Sequence, residues 1–267
     1  MSGRRVTVTM WLSVTAVACL FVPGPAAAQA QDAPASGREA ALVDLTGQWV
    51  AVVNEDWRWR MVTPPVGDAA SVPLNPEGRR VTNAWDLAAD RAGDALCKAF
   101  GPPGLIRQPG HIRIDWEDDD TLALEFDAGM QTRRFRFGAD AAAPGAAATA
   151  SLQGRSEARW VRQRLSRGFF GLVGQDALSG GALEVRTTHL EAGYLRPNGV
   201  PHSDQATVTE FLDIFTLEDA GTWLVVTTVV NDPVYLSQEF VISTQFRKET
   251  DLSGWSPRPC DIPAPLR

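Results

Sequence analysis

Short segments in which apolar and polar residues alternate recur through most of this 267-residue chain, and they restrict its fold more than any other feature. Ile112, Ile114 and Trp116, for example, alternate with charged residues ahead of an acidic turn at 118–120. Because successive side chains of a strand point to opposite faces, this period of two predicts short, mainly antiparallel strands. The predicted strands cover 45–53, 112–116, 122–126, 132–137, 156–161, 183–190, 206–215, 222–231 and 239–248.

One substantial helix is predicted between the first two of these strands. Asn75 can cap its first turn, Pro76 suits its first position, and apolar residues follow at helical spacing as far as Ala88. The predicted strands 222–231 and 239–248 are apolar on nearly both faces, which is typical of central strands. The expected fold class is therefore all-β and mainly antiparallel, a barrel or strongly curved sheet with one short helix.

Residues 1–30 have the layout of a cleavable export signal. Arg4 and Arg5 form a basic start, an apolar run covers 10–22, and small residues at 26–30 offer a cleavage site. We therefore expect a signal peptide and a mature protein in the periplasm or secreted.

Two alternatives concern the same segment. The arginine pair could mark twin-arginine export, although the residues that follow it fit that pattern poorly. Cys19 could be a lipidated first residue, but cleavage at the later alanines would remove it with the signal. After cleavage, 31–41 is expected to be a disordered leader and 42–267 a single domain.

The mature chain would be acidic. The full sequence has 25 basic and 32 acidic residues, and removal of the signal leaves a net charge of −9. Such a charge disfavours binding to nucleic acid or anionic lipid. No second apolar run reaches membrane-spanning length, so we expect no membrane span in the mature protein. Export also separates it from nucleotide cofactors, and we expect no cofactor.

Two cysteines, Cys97 and Cys260, remain after removal of the signal. An oxidising compartment favours a disulfide between them, whereas two unpaired buried thiols are the alternative. The bond would close a loop long enough for a chain-entropy stabilisation of roughly 5 kcal/mol as an upper estimate. Neither cysteine has a spacing that suits zinc, and we expect no metal site.

The predicted strand faces draw attention to His189 and Glu210. Alternation places His189 on the apolar face of strand 183–190 and Glu210 on the apolar face of strand 206–215. A buried carboxylate needs a partner or a raised pKa, and the partner could be His189 or an arginine of 55–60. The pair would either fix strand register as a structural contact or line a pocket, where it would bind a ligand or act as a catalytic acid and base.

His202 lies beside Ser203 in a segment predicted to connect two strands. These two residues with Glu210 would make a weak hydrolase constellation, while His189, His202 and Glu210 are chemically suitable metal ligands without a supporting spacing. Loops at barrel mouths often carry binding residues, so His202 is a candidate for ligand binding, and Tyr194 is another.

Segment 55–60 is the richest cluster of aromatic and charged residues in the chain. Trp57 and Trp59 could stack on an apolar or ring-shaped ligand while Arg58 and Arg60 hold its carboxylate or another polar end. The structural alternative is a strand end whose arginines cover the exposed tryptophan and pair with Glu55 and Asp56. All four residues are candidates for ligand binding.

The start of the first predicted strand, Gly47-Gln48-Trp49, resembles the Gly-x-Trp opening of lipocalin and calycin barrels. This resemblance implies a calycin-like barrel in which the tryptophan closes one end and an arginine covers it. Arg247, on the last predicted strand, is the candidate for that arginine.

A broader resemblance covers most of the mature chain. It rests on the runs LTGQWVAVVNEDWRWRMVTPP, LNPEGRRV, CKAFGPPGLIR, TTHLEAGYLRPNGVPHSD, VTEFLDIF and VNDPVYLSQEF. These runs look like a family of uncharacterised secreted bacterial β-rich proteins. The resemblance implies export and a single β-rich domain, and it implies no particular activity.

Three functions are compatible with the sequence. The leading hypothesis is an exported protein that binds a small apolar or amphipathic molecule inside a barrel, with His189, Glu210, Trp57 and Arg60 at the pocket. The second is an acid-base enzyme on the same scaffold, a hydratase, isomerase or hydrolase that uses His189 and Glu210 without a cofactor. The third is an envelope interaction protein without a pocket. The sequence favours no particular oligomeric state.

Overall fold

The structure, a computed structural model, describes residues 35–138, 149–162, 181–251 and 253–266. The expected export signal, with Cys19, lies outside the described residues. The longer strands are β1 (Gly47–Val52), β2 (His111–Asp118), β3 (Thr121–Phe126), β5 (Gln131–Arg136), β6 (Arg155–Arg162), β7 (Gly181–Thr188), β10 (Thr207–Leu217), β11 (Gly221–Asn231) and β12 (Phe240–Glu249). The short strands are β4 (Ala128–Gly129), β8 (Gly193–Arg196), β9 (Val200–His202) and β13 (Arg258–Pro259).

The nine longer strands form one closed barrel. Their order around it is β1, β12, β11, β10, β7, β6, β5, β3 and β2, and β2 pairs with β1 to complete the circle. Neighbouring strands are antiparallel except β5 and β6. Each of the nine predicted strands corresponds to one barrel strand, so the all-β barrel prediction is confirmed.

Short helices connect β1 to β2. They are α1 (Trp57–Arg60), α2 (Pro76–Asn83), α3 (Leu87–Ala92) and α4 (Pro102–Leu105), with a 3₁₀ helix at Leu96–Phe100. The predicted start of α2 is confirmed, because the Asn75 side chain accepts a hydrogen bond from the Gly78 amide over 2.9 Å. The helix ends sooner than predicted, since Asp86 caps a new helix by accepting from the Ala88 amide. No helix among the described residues is long and apolar enough to cross a membrane.

Large side chains fill the barrel interior. Trp49, Phe135 and Phe246 are each at most 1% exposed. The aliphatic residues that pack with them, each at most 2% exposed, are Ile112, Ile114, Leu122, Leu124, Leu183, Val185, Leu212, Leu224 and Val226. A cavity wide enough for water would leave accessible area on the side chains that line it. Exposure this low therefore indicates an interior packed by its own side chains.

Trp49 is held as a buried plug of this core. Its indole Nε1 donates to the Leu45 carbonyl over 3.0 Å, and the Lys248 ammonium lies 5.2 Å from its ring. Lys248 is the register partner of Trp49, so both side chains lie on the same face. Arg247 is one residue out of phase and exposed, so the prediction that Arg247 covers the tryptophan is wrong.

The C-terminal segment, residues 253–266, crosses the outside of the barrel. The Arg258 amide donates to the Asp127 carbonyl over 2.8 Å, β13 pairs with β4, and the Leu266 amide donates to the Thr63 carbonyl. The predicted disulfide between Cys97 and Cys260 is confirmed, and it joins this segment to the 3₁₀ helix. The segment is therefore fixed both covalently and by backbone hydrogen bonds.

Part of the expected leader makes contacts with the barrel. The Gly37 amide donates to Asp120 Oδ1, the Arg38 amide donates to the Asp119 carbonyl, and Trp160 Nε1 donates to the Gly37 carbonyl over 2.7 Å. These bonds order the backbone in the described part of the leader, 35–41.

Candidate functional site

Glu210 points into the barrel, as its strand face predicts, and it is fully buried. Its partner is Arg133 of β5, whose Nη1 donates to Oε1 over 2.9 Å while Nη2 donates to Oε2. Arg133 Nη2 also lies 3.4 Å from Thr187 Oγ1, which is 2.8 Å from Ser156 Oγ. The bidentate pair satisfies a carboxylate whose burial would otherwise be costly. Glu210 thus forms a structural contact across the interior.

His189 does not meet Glu210. Strand β7 ends at Thr188, and His189 has a φ of +57°, the left-handed region in which the chain leaves the strand. Its side chain is exposed, and its Nδ1 lies 2.8 Å from Thr188 Oγ1. The prediction that His189 faces the interior is wrong because the alternation of faces ends one residue before it.

His202 is buried on β9 and separate from both residues. Its Nδ1 lies 3.2 Å from the Ser203 carbonyl oxygen, and burial lowers the pKa of the imidazole. The Ser203 hydroxyl donates instead to Asp232 Oδ1 over 2.8 Å, and the Ser203 amide donates to Asp232 Oδ2. Neither the hydrolase constellation nor the metal constellation is assembled. The residues that the structure describes contain no group of three His, Cys, Asp or Glu side chains placed to hold a metal.

The aromatic segment forms α1 rather than a strand end. Trp57 is exposed, while Arg58 pairs with Asp68 over 2.7 Å. The Trp59 indole donates to Asp68 Oδ2, and the guanidinium groups of Arg58 and Arg196 lie 4.8 Å and 4.7 Å from the centre of its ring. Arginines cover this tryptophan, as the structural alternative expects, but Arg58 pairs with Asp68 rather than with Glu55 or Asp56. Of the expected pairs, only that of Arg60 with Glu55 forms.

Tyr194 of β8 is also engaged within the protein. Its hydroxyl donates to Asp90 Oδ1 over 3.0 Å, and Trp85 Nε1 donates to Asp90 Oδ2 over 2.7 Å. Burial, followed by the hydrogen bond to Asp90, raises the pKa of Tyr194. Tyr194 lines a hollow of about 330 Å³ with Trp85 and Gly199, away from the aromatic segment.

A cleft of about 500 Å³ lies between the barrel wall and the C-terminal segment, and we name it the C-terminal cleft. Met61, Val62, Phe100 and Ile262 give it apolar walls. Its polar lining comes from Arg60, Thr63, Gln108, His111, Asp127, Ser256, Arg258 and Asp261. Arg60 is the one residue of the predicted binding set in this lining. The sequence prediction missed the others.

His111 and Asp127 form one wall of the C-terminal cleft. Asp127 Oδ1 accepts from the His111 amide over 2.8 Å, and Oδ2 lies 2.9 Å from His111 Nδ1. The other ring nitrogen, Nε2, is 3.4 Å from Glu249 Oε2, and Gly254 packs so closely on the ring that a Cβ there would clash. Both imidazole nitrogens therefore have partners, and the pair holds the wall in place.

Two buried polar groups of the cleft lining remain unpartnered. Arg60 donates Nε to the Arg107 carbonyl over 2.9 Å and Nη1 to Glu55 Oε1. Arg60 Nη2 and Thr63 Oγ1 are buried without a hydrogen-bond partner among the described residues. Neither atom has accessible surface, so both lie behind the cleft wall, and the exposed cation of the lining is Arg258.

The arrangement combines apolar walls with a few polar and charged side chains, among them the exposed Arg258, which is the chemistry of a small-molecule site. No protein-family model, no curated protein and no solved structure significantly matches this chain.

Proposed function

We propose that this protein is exported and binds a small amphipathic anion in the C-terminal cleft. The observation that carries the proposal is the cleft itself, because its volume of about 500 Å³ lies within the usual range of ligand pockets. The apolar side chains would hold the body of the ligand, and Arg258, an exposed cation of the lining, would hold its anionic end. The disulfide between Cys97 and Cys260 supports export, since such bonds persist in oxidising compartments.

Because the interior is packed, the binding site that we propose lies on the outer wall of the barrel and not inside it, where the sequence predicted it. Trp49, Phe135 and Phe246 occupy the volume that an internal ligand would need. An acid-base enzyme built on His189 and Glu210 receives no support, because His189 lies in an exposed turn and Glu210 is paired with Arg133.

A pair of fluorescent probes tests the proposal. 1-Anilinonaphthalene-8-sulfonate is an amphipathic anion, and N-phenyl-1-naphthylamine is the same ring system without the sulfonate. We expect saturable, one-to-one binding of the sulfonate probe and at least tenfold weaker binding of the neutral probe, because only the first can pair with Arg258.

Matched variants locate the site. Met61 is 55% exposed and lines the cleft, whereas Leu217 is 48% exposed at the end of β10 and does not line it. Met61→Glu should weaken binding of the sulfonate probe at least tenfold by adding a negative charge to the cleft, while Leu217→Glu should leave it unchanged. Equal affinities in both variants and the wild type, or no saturable binding at all, would show that the cleft is not the site.

A further inference from the structure

Two side chains in the lining of the C-terminal cleft carry charges that no other described residue neutralises. Arg258 and Asp261 both line the cleft, and both are exposed. Neither side chain makes an ion pair or a hydrogen bond with any described residue, and the two do not pair with each other. The cleft therefore offers a ligand one free cation and one free anion.

The other ionisable side chains of the lining already have partners. Arg60 pairs with Glu55. The two ring nitrogens of His111 lie 2.9 Å from Asp127 Oδ2 and 3.4 Å from Glu249 Oε2. A charged ligand would have to break one of these contacts to use them. The two free charges are therefore the places where the cleft can pair with charged groups of a ligand, and they have opposite signs.

Both free charges lie on backbone that the fold holds in place. Arg258 belongs to β13, which pairs with β4. Asp261 lies between Cys260, which the disulfide holds, and Ile262. Ile262 is buried, and its carbonyl accepts a hydrogen bond from Arg91 Nη2 over 2.9 Å. Because the two charged residues are three positions apart, their α-carbons are separated by at most about 11 Å, and one small ligand can reach both side chains.

We propose that the ligand of the C-terminal cleft is a small zwitterion with an apolar body, the chemistry of a short apolar peptide with free ends. This inference rests on the proposed function: the anionic end stays at Arg258, and the same ligand places a cationic end at Asp261. A ligand with an anionic end alone would cover Asp261 with apolar surface or bring a like charge towards it, and both cost free energy. A zwitterion pairs with both charges.

A leucyl-phenylalanine series tests the proposal, because the apolar body stays the same while the charges change. The three forms have both ends free, the amino end acetylated, or the carboxyl end amidated. Isothermal titration calorimetry at pH 7 measures the affinity of the wild-type protein for each form. We expect the free dipeptide to bind about fivefold more tightly than either blocked form, since each blocked form leaves one charge of the cleft without a partner.

Two variants that remove one charge each assign the two ends of the ligand. Arg258→Gln should abolish the advantage of the free dipeptide over the amidated form, and Asp261→Asn should abolish its advantage over the acetylated form. Both side chains are exposed and unpaired, so both variants should fold normally. Arg136→Gln and Asp219→Asn, at exposed positions outside the cleft lining, are the controls and should keep the wild-type preference.

The possible outcomes separate this inference from the proposed function. Suppose that 1-anilinonaphthalene-8-sulfonate binds in the cleft, but the three peptide forms bind equally or not at all. The zwitterion would then be overturned, and the anion site would stand. A preference for the free dipeptide that survives in both Arg258→Gln and Asp261→Asn would also overturn the inference. Absence of binding by the sulfonate probe and by every peptide form would overturn both proposals.

Discussion

At the scale of single residues, the ion pair of Arg133 and Glu210 is the main departure from an apolar barrel core. The two residues belong to β5 and β10, which are not neighbours in the barrel, so the pair links strands that share no backbone hydrogen bonds. Replacing both partners of a buried pair by apolar residues is often tolerated, whereas removing one leaves an uncompensated charge. The pair therefore specifies how opposite walls meet.

We expect Glu210→Gln to lower the free energy of unfolding by about 3–5 kcal/mol, because it leaves the Arg133 guanidinium buried without a counter-charge. The double variant Arg133→Met/Glu210→Leu should recover most of this loss. Urea unfolding at pH 7 measures both. Glu117→Gln, which breaks an exposed pair with Arg134, is the control and should have little effect. A similarly small loss for Glu210→Gln would contradict the buried, charged state of the pair.

His202 should make the stability of the protein depend on pH. Burial lowers its pKa below the unfolded value, so the folded state binds fewer protons than the unfolded state between the two pKa values. The contribution is absent above about pH 6.5 and turns into a growing penalty as the pH falls below it. The loss from this one group should keep growing until the pH reaches the folded pKa.

The difference between two histidine variants isolates that contribution. Urea unfolding at several pH values should show a shallower decline of stability below pH 6.5 for His202→Gln than for the wild type. His189→Gln, at an exposed turn, should keep the wild-type slope. If His202→Gln also keeps that slope, His202 is not buried as a neutral imidazole.

At the scale of elements, alternation of apolar and polar residues predicts every barrel strand, because each strand has one face in the packed interior. The same logic fails at strand ends, where His189 adopts a left-handed conformation that periodicity does not encode. The sequence contains a signal that α2 and α3 are two separate helices. Asp86 is a good capping residue, but the apolar spacing continues across it.

Hairpin register could have revealed two of the residues that the prediction missed. The acidic turn joins β2 to β3, and Ile112 pairs with Phe126 in the resulting hairpin. One step further along the same register brings His111 opposite Asp127. The inward position of Arg133 could also have been predicted, since Arg133 shares a strand face with the buried Phe135. The C-terminal cleft was not predictable, because it depends on where the disulfide and β13 place a segment that is remote in sequence.

At the scale of the whole molecule, the barrel has a packed interior, and the segments outside it line the C-terminal cleft. The helices between β1 and β2 and the C-terminal segment pack on the outside of the barrel, and the disulfide joins them. A packed interior contributes stability, while the groove between two surface layers can accept a ligand without loss of core packing. Stability and binding should therefore respond to different substitutions.

Phe246→Ala tests this separation. Phe246 is a buried interior residue, so its truncation should lower the free energy of unfolding by about 3–5 kcal/mol through the cavity it leaves. Affinity for 1-anilinonaphthalene-8-sulfonate should stay within about twofold of the wild type, because the C-terminal cleft is untouched. Met61→Glu should show the opposite, with weak binding and nearly normal stability. Urea unfolding and probe titration measure the two quantities under conditions where near-ultraviolet circular dichroism shows a folded core. If Phe246→Ala changes probe affinity tenfold while the protein remains folded, the ligand lies inside the barrel after all.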